Sequence, residues 1–509
     1  MVDPKRLLAK NIFSNWLGLV LTAGVAFYLN PFLVDHLGKD QFGIWALCFS
    51  ILAYTDFFDI GVRQSLARYL PKYFGVGDYD NMNRVINTGN FIYGVVGTMT
   101  LILSAVAAFF FVDLFNVPEE LIEAMRWTLL IVGVNAAVVF YTMACTALGP
   151  FHRYDLLNAI GMTFKILETA AIIYFLSIGY ELIALALIVF AATTAKLGVS
   201  RITQQRIVPQ IRFGVKFISK AMGKEMISYG MYSLLIVIAT IVIFNTDNIV
   251  IGIFVSTEAV AYYAIALTVM QYLRNIVQTA GVPLITSISH MEATGGIDEV
   301  GGMSRKMMKY LFFLCTSFCC SVIIFGDVFV ELWMGPGFEQ TVTILWILAA
   351  PAIIYLPQAT SNSILFGIGK HKLLFYVVAG EALANIVLSL ILVQYHGIVG
   401  VALGTAIPQL IIYGSIYPYY YHRALKADLK QFYSTAVAMM ALGGLVTVPI
   451  AMGMRELMVI DTWLEFCLGA LGVIVAFGAG FILIVLDKED RVWLWAKLKR
   501  KNVDDINTA

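Results

Sequence analysis

The chain has 509 residues, of which 13% are charged and 60% hydrophobic, with a mean hydropathy of +0.82, where a soluble chain carries about a quarter charged residues. That balance excludes a soluble protein and places the chain in a membrane. A net charge of +1 leaves no basic face to displace counterions from phosphates, so nucleic acid is excluded as a partner.

Taken in order, Met1 to Lys10 is basic but leads into an apolar run too long for a signal-peptide core and without a small-residue cleavage site, so this run is expected to remain as a helix. A crossing needs roughly 20 mainly apolar residues. Fourteen stretches qualify, at about 11–35, 41–66, 83–112, 120–148, 155–177, 181–204, 225–253, 258–288, 305–331, 340–367, 371–394, 397–421, 430–454 and 463–486. The uncharged stretch from Ala382 to His422 is too long for one crossing and breaks best at Gln394-Tyr-His-Gly397. Pro283, Pro351, Pro357 and Pro408 predict kinks or interrupted helices. The six cysteines sit in apolar runs without CxxC pairs and read as packing residues, and the six histidines fall at helix ends or loops, so no metal site is expected.

Lys and Arg alternate from one side to the other. One side takes the N-terminal tail, Arg63 to Arg84, Arg153, the central connector, Arg305 to Lys309, Lys370, Lys372, Arg423 to Lys430 and the C-terminal tail; the other takes only Lys39, Arg126 and Arg455. Both termini are therefore expected in the cytoplasm. The basic connector from Arg201 to Lys224, with Ile211, Phe213, Val215, Phe217 and Ile218 interleaved among Arg212, Lys216 and Lys220, reads either as an interfacial helix or strap or as a solvated topogenic loop. The tail with Trp493, Trp495 and Leu498 is expected on the inner leaflet.

One stretch is used twice. Gly149-Pro-Phe-His-Arg-Tyr-Asp-Leu-Leu157 opens an apolar run that turns at Gly179, and Gly367-Ile-Gly-Lys-His-Lys-Leu-Leu374 opens another that turns at Gly397, about 217 residues later. The same offset, within one residue, pairs Asp40 to Ala46 with Glu258 to Ala264. Six spans per repeat is an even number, so both copies enter the membrane in one direction. The expected fold is an all-α integral membrane protein of fourteen transmembrane helices: two parallel-repeat six-helix bundles around a central cavity, plus two extra C-terminal helices. The boundaries fall at 1–205 for the first lobe, 206–224 for the connector, 225–425 for the second lobe, 426–487 for the two additional helices and 488–509 for the tail.

Leu37-Gly-Lys-Asp-Gln-Phe-Gly-Ile-Trp-Ala46, Asp59-Ile-Gly-Val62, Asn245-Thr-Asp-Asn-Ile-Val-Ile-Gly252, Gly367-Ile-Gly-Lys-His371 and Gly397-Ile-Val-Gly-Val-Ala402 together resemble the polysaccharide flippases. These belong to the superfamily that includes multidrug and toxin extruders and the lipid II flippase. Over roughly residues 10–425 the resemblance implies alternating access by two six-helix bundles, moving an undecaprenyl-diphosphate-linked oligosaccharide from the inner to the outer leaflet of the cytoplasmic membrane. It implies no cofactor beyond a coupling proton or sodium ion, and as partners the lipid-linked oligosaccharide, membrane lipids, and the polymerase and glycosyltransferases of the same pathway.

An ionisable side chain inside a span is unfavourable in lipid and so faces a cavity or a partner. Arg274, about sixteen residues into the eighth span, is the leading candidate for the diphosphate, and under the repeat offset it falls opposite Asp56. Its alternative is a local pair that pins two helices. Asp56, Asp59 and Arg63, at spacings of three and four, share one helical face; they read as a substrate or gate contact or as an ion-paired helix end. Lys165 and Glu168 are spaced to pair in the fifth span, while Asp247 and Glu381 stand as lone acids in the seventh and eleventh, suited to a coupling cation. Tyr417, Tyr419, Tyr420 and Tyr421 read as an interfacial aromatic belt in preference to a sugar platform.

A cation-coupled multidrug exporter would present an acidic cavity and end at twelve spans, so the two extra spans and Arg274 count against it. A lipid II flippase fits the early spans less well. A membrane glycosyltransferase or polymerase would need a large outer loop or an acidic catalytic cluster, and the longest outer loops here are about ten residues. No enzymatic activity is expected.

Overall fold

The computed structural model describes residues 4–59, 61–151, 153–281, 284–367, 371–425, 428–457, 461–486 and 491. The middle of the Gly367–His371 motif, Pro283 and the tail with Trp493 and Trp495 lie outside them.

The described residues are overwhelmingly helical, with no strand among them, because a backbone in hydrocarbon must satisfy its own donors and acceptors. In order the helices are α1 (Pro4–Ala53), α2 (Val62–Gly75), α3 (Tyr79–Val106), α4 (Ile122–Thr142), α5 (Tyr154–Ser177), α6 (Leu182–Ile207), α7 (Lys220–Phe254), α8 (Thr257–Gly281), α9 (Leu284–Met334), α10 (Glu339–Tyr355), α11 (Ala359–Gly367), α12 (His371–Ile411), α13 (Tyr417–Leu425), α14 (Leu429–Leu442), α15 (Val448–Leu457) and α16 (Trp463–Gly480). Among the described residues, eleven helical segments are long and apolar enough to cross a membrane. The chain is a multi-pass membrane protein.

Two of the eleven are too long for one straight crossing. Trp16–Asp59 has 44 residues and Leu374–Leu425 has 52, about 66 and 78 Å of α-helix at ~1.5 Å per residue against a ~30 Å hydrocarbon core. Each is broken at a glycine whose backbone leaves the helical region: Gly38 at φ 77°, ψ 167° and Gly397 at φ 55°, ψ −133°. A Cβ would be strained at either position, and both breaks fall where the sequence places a turn.

Other boundaries depart from expectation. The second span does not run unbroken from 41 to 66: it tightens into a 3₁₀ turn at Tyr54–Asp59, bends at left-handed Gly61 (φ 70°), and α2 starts afresh at Val62. The polar stretch before the ninth span is not a loop, since α9 is already helical from Leu284. A helix outside the membrane still satisfies its own backbone, so polarity alone does not end it. Pro357 sits in a real interruption, the 3₁₀ turn at Leu356–Gln358 between α10 and α11, whereas Pro351 lies within α10.

The connector is a strap, not a helix. Between α6 and α7 the chain carries only a three-residue 3₁₀ turn at Val215–Phe217, and its backbone is laced to α3. Asn83 Nδ2 donates to the Gln210 carbonyl (3.1 Å) and Asn83 Oδ1 accepts from Arg212 N (2.8 Å). Asn87 Nδ2 donates to the Arg212 carbonyl (2.8 Å), its Oδ1 accepts from Gly214 N (2.9 Å), and Thr88 Oγ1 accepts from Ser219 N (3.0 Å). Two side-chain amides thus replace the backbone partners the strap lacks. Ser219 then caps α7, its Oγ accepting from Met222 N at 3.3 Å.

Two compact units emerge: residues 1–265 with 378–401, and residues 266–377 with 402–509. In the first, a buried cluster includes Leu66, Leu70, Met82, Ile86, Tyr93 and Met226. In the second, Cys320, Ile324, Phe325 and Val473 form a smaller one, with Phe466 against it. Arg455 pairs there with Asp327 at 2.7 Å and also donates to the Ile324 carbonyl at 2.7 Å. All six cysteines are free thiols, five of them buried.

Candidate functional site

Asp56, Asp59 and Arg63 do come together, though not on one α-helical face. The two acids belong to the 3₁₀ turn and the arginine to α2 beyond Gly61, so the bend folds the arginine back. Arg63 Nε lies 3.5 Å from Asp59 Oδ2 and Nη2 lies 3.9 Å from Asp56 Oδ1. Asp59 Oδ1 also accepts from the Tyr93 hydroxyl (2.7 Å) and from Arg63 N (3.3 Å). Asp59, 8% exposed, is therefore consumed in holding the bend to α3, and Tyr93 is a member of this group that the sequence reading missed. Asp56 differs: 43% of its side chain is exposed, so it keeps a face for another partner.

Lys165 and Glu168 pair on α5 at 2.6 Å. The pair is closed on itself within one helix turn and carries little net field.

Asp247 is not a lone acid. It is fully buried on α7, with Oδ2 accepting from the Tyr263 hydroxyl on α8 at 2.5 Å and Oδ1 accepting from Asn385 Nδ2 on α12 at 3.4 Å. Burying a carboxylate without donors is strongly unfavourable, and Tyr263 and Asn385 each supply one. Glu381, 3% exposed, stands four residues before Asn385 and so on the same face of α12. The neighbours of Asp247 on α7 are held as well: Thr246 Oγ1 bonds the Tyr54 hydroxyl at 2.5 Å, and Asn248 Nδ2 donates to Ser50 Oγ at 2.9 Å. All of these residues belong to the first unit. A buried carboxylate framed by a phenol and an amide can take up a proton or a small cation without leaving an orphaned charge. Tyr263 and Asn385 were missed in the sequence; a polar residue one turn after Glu381 in an otherwise apolar run was the available signal for Asn385.

Arg274 is half-buried on α8. It falls in the second unit and Asp56 in the first. Among the described residues no three His, Cys, Asp or Glu side chains gather as a metal site requires.

The family model described as "Polysaccharide biosynthesis protein" matches residues 8–289. A Bacillus subtilis protein named "Uncharacterized membrane protein EpsK" is 20% identical over 507 residues, covering 98% of this chain and 99% of its own. A Shigella flexneri protein named "Putative O-antigen transporter" is 18% identical over 410 residues, covering 79% and 95%. Among solved structures, an inward-facing multidrug resistance MATE family transporter of the MOP superfamily superposes with a TM-score of 0.65 at 13% identity, covering 79% of this chain and 95% of that one. Lipid II flippase MurJ in an inward closed conformation gives 0.64 at 15% identity, covering 91% and 98%. At these identities the two structures show a shared fold.

Proposed function

Because the chain belongs to the polysaccharide biosynthesis protein family, its match spanning residues 8–289, we propose that it flips a lipid-linked oligosaccharide from the inner to the outer leaflet of the cytoplasmic membrane by alternating access, as a transporter and not an enzyme. The family match carries this reading, supported by the similarity to a protein named for O-antigen transport and by a fold shared with a flippase. The eleven long segments become fourteen crossings when the two broken at Gly38 and Gly397 are each counted twice and α8, with 25 residues, is added. Both termini then lie on one side, which the distribution of Lys and Arg assigns to the cytoplasm.

Arg274 is the proposed diphosphate contact, since a guanidinium stays protonated and forks two donors toward phosphate oxygens. Asp56 and Arg63 are proposed at the substrate's path, with Asp59 holding the bend that presents them. Asp247, framed by Tyr263 and Asn385, is the proposed carrier of a coupling proton or sodium ion, with Glu381 beside it on α12; the closed Lys165–Glu168 pair is a lesser candidate. The pathway's polymerase and glycosyltransferases are the proposed partners.

The test is a clean deletion in the host. Surface glycan disappears and lipid-linked oligosaccharide accumulates on the inner leaflet, and plasmid-borne protein restores both. Unchanged glycan display in the deletion overturns the reading.

A further inference from the structure

Where the strap meets α3 and α7, an open groove of about 590 Å³ runs along the first unit, within the roughly 300–1,000 Å³ of sites that hold small ligands. Its walls are apolar: Phe91 and Ile92 from α3, Ile218 from the strap and Ile227 from α7. Phe91 is 56% exposed and Ile218 37%, while Ile92 and Ile227 are half-buried. The rim is cationic. Lys220 and Lys224, both exposed, line the groove from one face of α7, one turn apart. The acid next to them, Glu225, is engaged with Tyr69 instead. Beyond Glu225, α7 carries no charged residue until Asp247, so the lysines stand where the helix passes from water into hydrocarbon.

An apolar trough that ends in two cations at the membrane boundary matches a molecule with an alkyl chain and an anionic head. We infer that this groove binds one anionic glycerophospholipid, with an acyl chain along Phe91, Ile92, Ile218 and Ile227 and its phosphate between Lys220 and Lys224. Juxtamembrane lysines attract anionic headgroups, and the trough adds what a bare basic patch lacks, a shaped surface for one chain. The lipid would lie against the strap and α3 together, covering the side chains that the lacing leaves exposed. The inference is independent of what the protein transports.

Full-length protein, delipidated in detergent, is given phosphatidylglycerol, phosphatidylcholine or glycerol 3-phosphate, and retained molecules are counted by native mass spectrometry. One phosphatidylglycerol is retained in preference to phosphatidylcholine, and glycerol 3-phosphate is not retained. K220Q/K224Q lowers the preference by roughly tenfold or more. Gly223 lines the same groove, and a Cβ there would meet only the Thr88 methyl, at 3.4 Å. Gly223→Phe therefore fills the trough with both lysines in place and also removes retention. Should Gly223→Phe fail to give monodisperse protein, the lysine variant, altered only at exposed positions, decides alone. Equal retention of the two phospholipids, binding of the free headgroup, or retention unchanged in either folded variant overturns the assignment.

Discussion

Thr257, at the first turn of α8, donates its hydroxyl to the carboxylate of Asp40, 217 positions earlier in the chain. That separation is the period of the sequence repeat, so segments read as counterparts of one another are in contact. The contact extends on both sides of the pair. Lys39 Nζ donates to the Tyr262 hydroxyl at 2.9 Å and lies 3.6 Å from Glu258, and Gly43 is so close to α8 that a Cβ would fall 1.8 Å from the Thr257 carbonyl oxygen.

Gly43→Ala is therefore expected to be disruptive although alanine is the better helix former. The added methyl must push α1 away from α8, an overpacking effect of about 1–3 kcal/mol or more. Thr257→Val, which leaves Asp40 without its donor, is expected to lose about 1–3 kcal/mol. Thermal melts of detergent-solubilised protein check both, and a melting temperature unchanged in Gly43→Ala contradicts the close approach.

Asp247→Asn removes the charge and keeps the shape, so transport is expected to fail while membrane abundance stays near wild type. Tyr263→Phe takes away one donor to a buried carboxylate, and is expected to be destabilising and to shift the pH dependence of transport. Wild-type transport by Asp247→Asn would remove this residue from the coupling role.

Arg274→Ala is expected to abolish flipping with expression intact, and Arg274→Lys to retain part of it because the charge survives and the fork does not. Asp56→Ala should be milder. A purely structural arginine behaves otherwise: an uncompensated buried charge is unfavourable by about 3–5 kcal/mol, so removing its partner depletes the protein. Membrane abundance measured beside surface-glycan display separates the two, and normal display with Arg274→Ala at full abundance ends the substrate-binding assignment.

Reporter fusions after Val112, Gly179, Glu258 and Gly335 are all expected to report the outer side. A cytoplasmic signal from any one of them breaks the alternation that fourteen crossings require.

Asn87→Leu removes two hydrogen bonds that hold the strap at Arg212 and Gly214. Trypsin is expected to cleave at Arg212 several-fold faster in this variant while α3 stays folded. Cleavage at the wild-type rate would mean the lacing does not restrain the strap.

The sequence made local breaks legible and distant partners illegible. Gly38 and Gly397 could be read because each stands beside polar residues at the end of an apolar run, where a glycine lets the chain turn. Asp56, Asp59 and Arg63 could be grouped by spacing, yet the spacing suggested a continuous helix where Gly61 breaks it. Asp247 read as isolated because its partner Asn385 is 138 positions away, and no local pattern encodes that distance. The connector could be read as a strap but not told from an interfacial helix or a solvated loop, because what decides its conformation is a pair of asparagines on α3, more than 120 positions away.

Those asparagines also impose an order on biogenesis. Arg212 follows Asn87 by 125 positions, about 6–25 seconds of synthesis at ~5–20 residues per second. During that interval α3 waits with two amides whose eventual strap partners have not been translated, while α4, α5 and α6 are synthesised. The strap reaches them just as the nascent chain turns to α7, so its docking can act as a latch that registers completion of the first six helices before the next is begun.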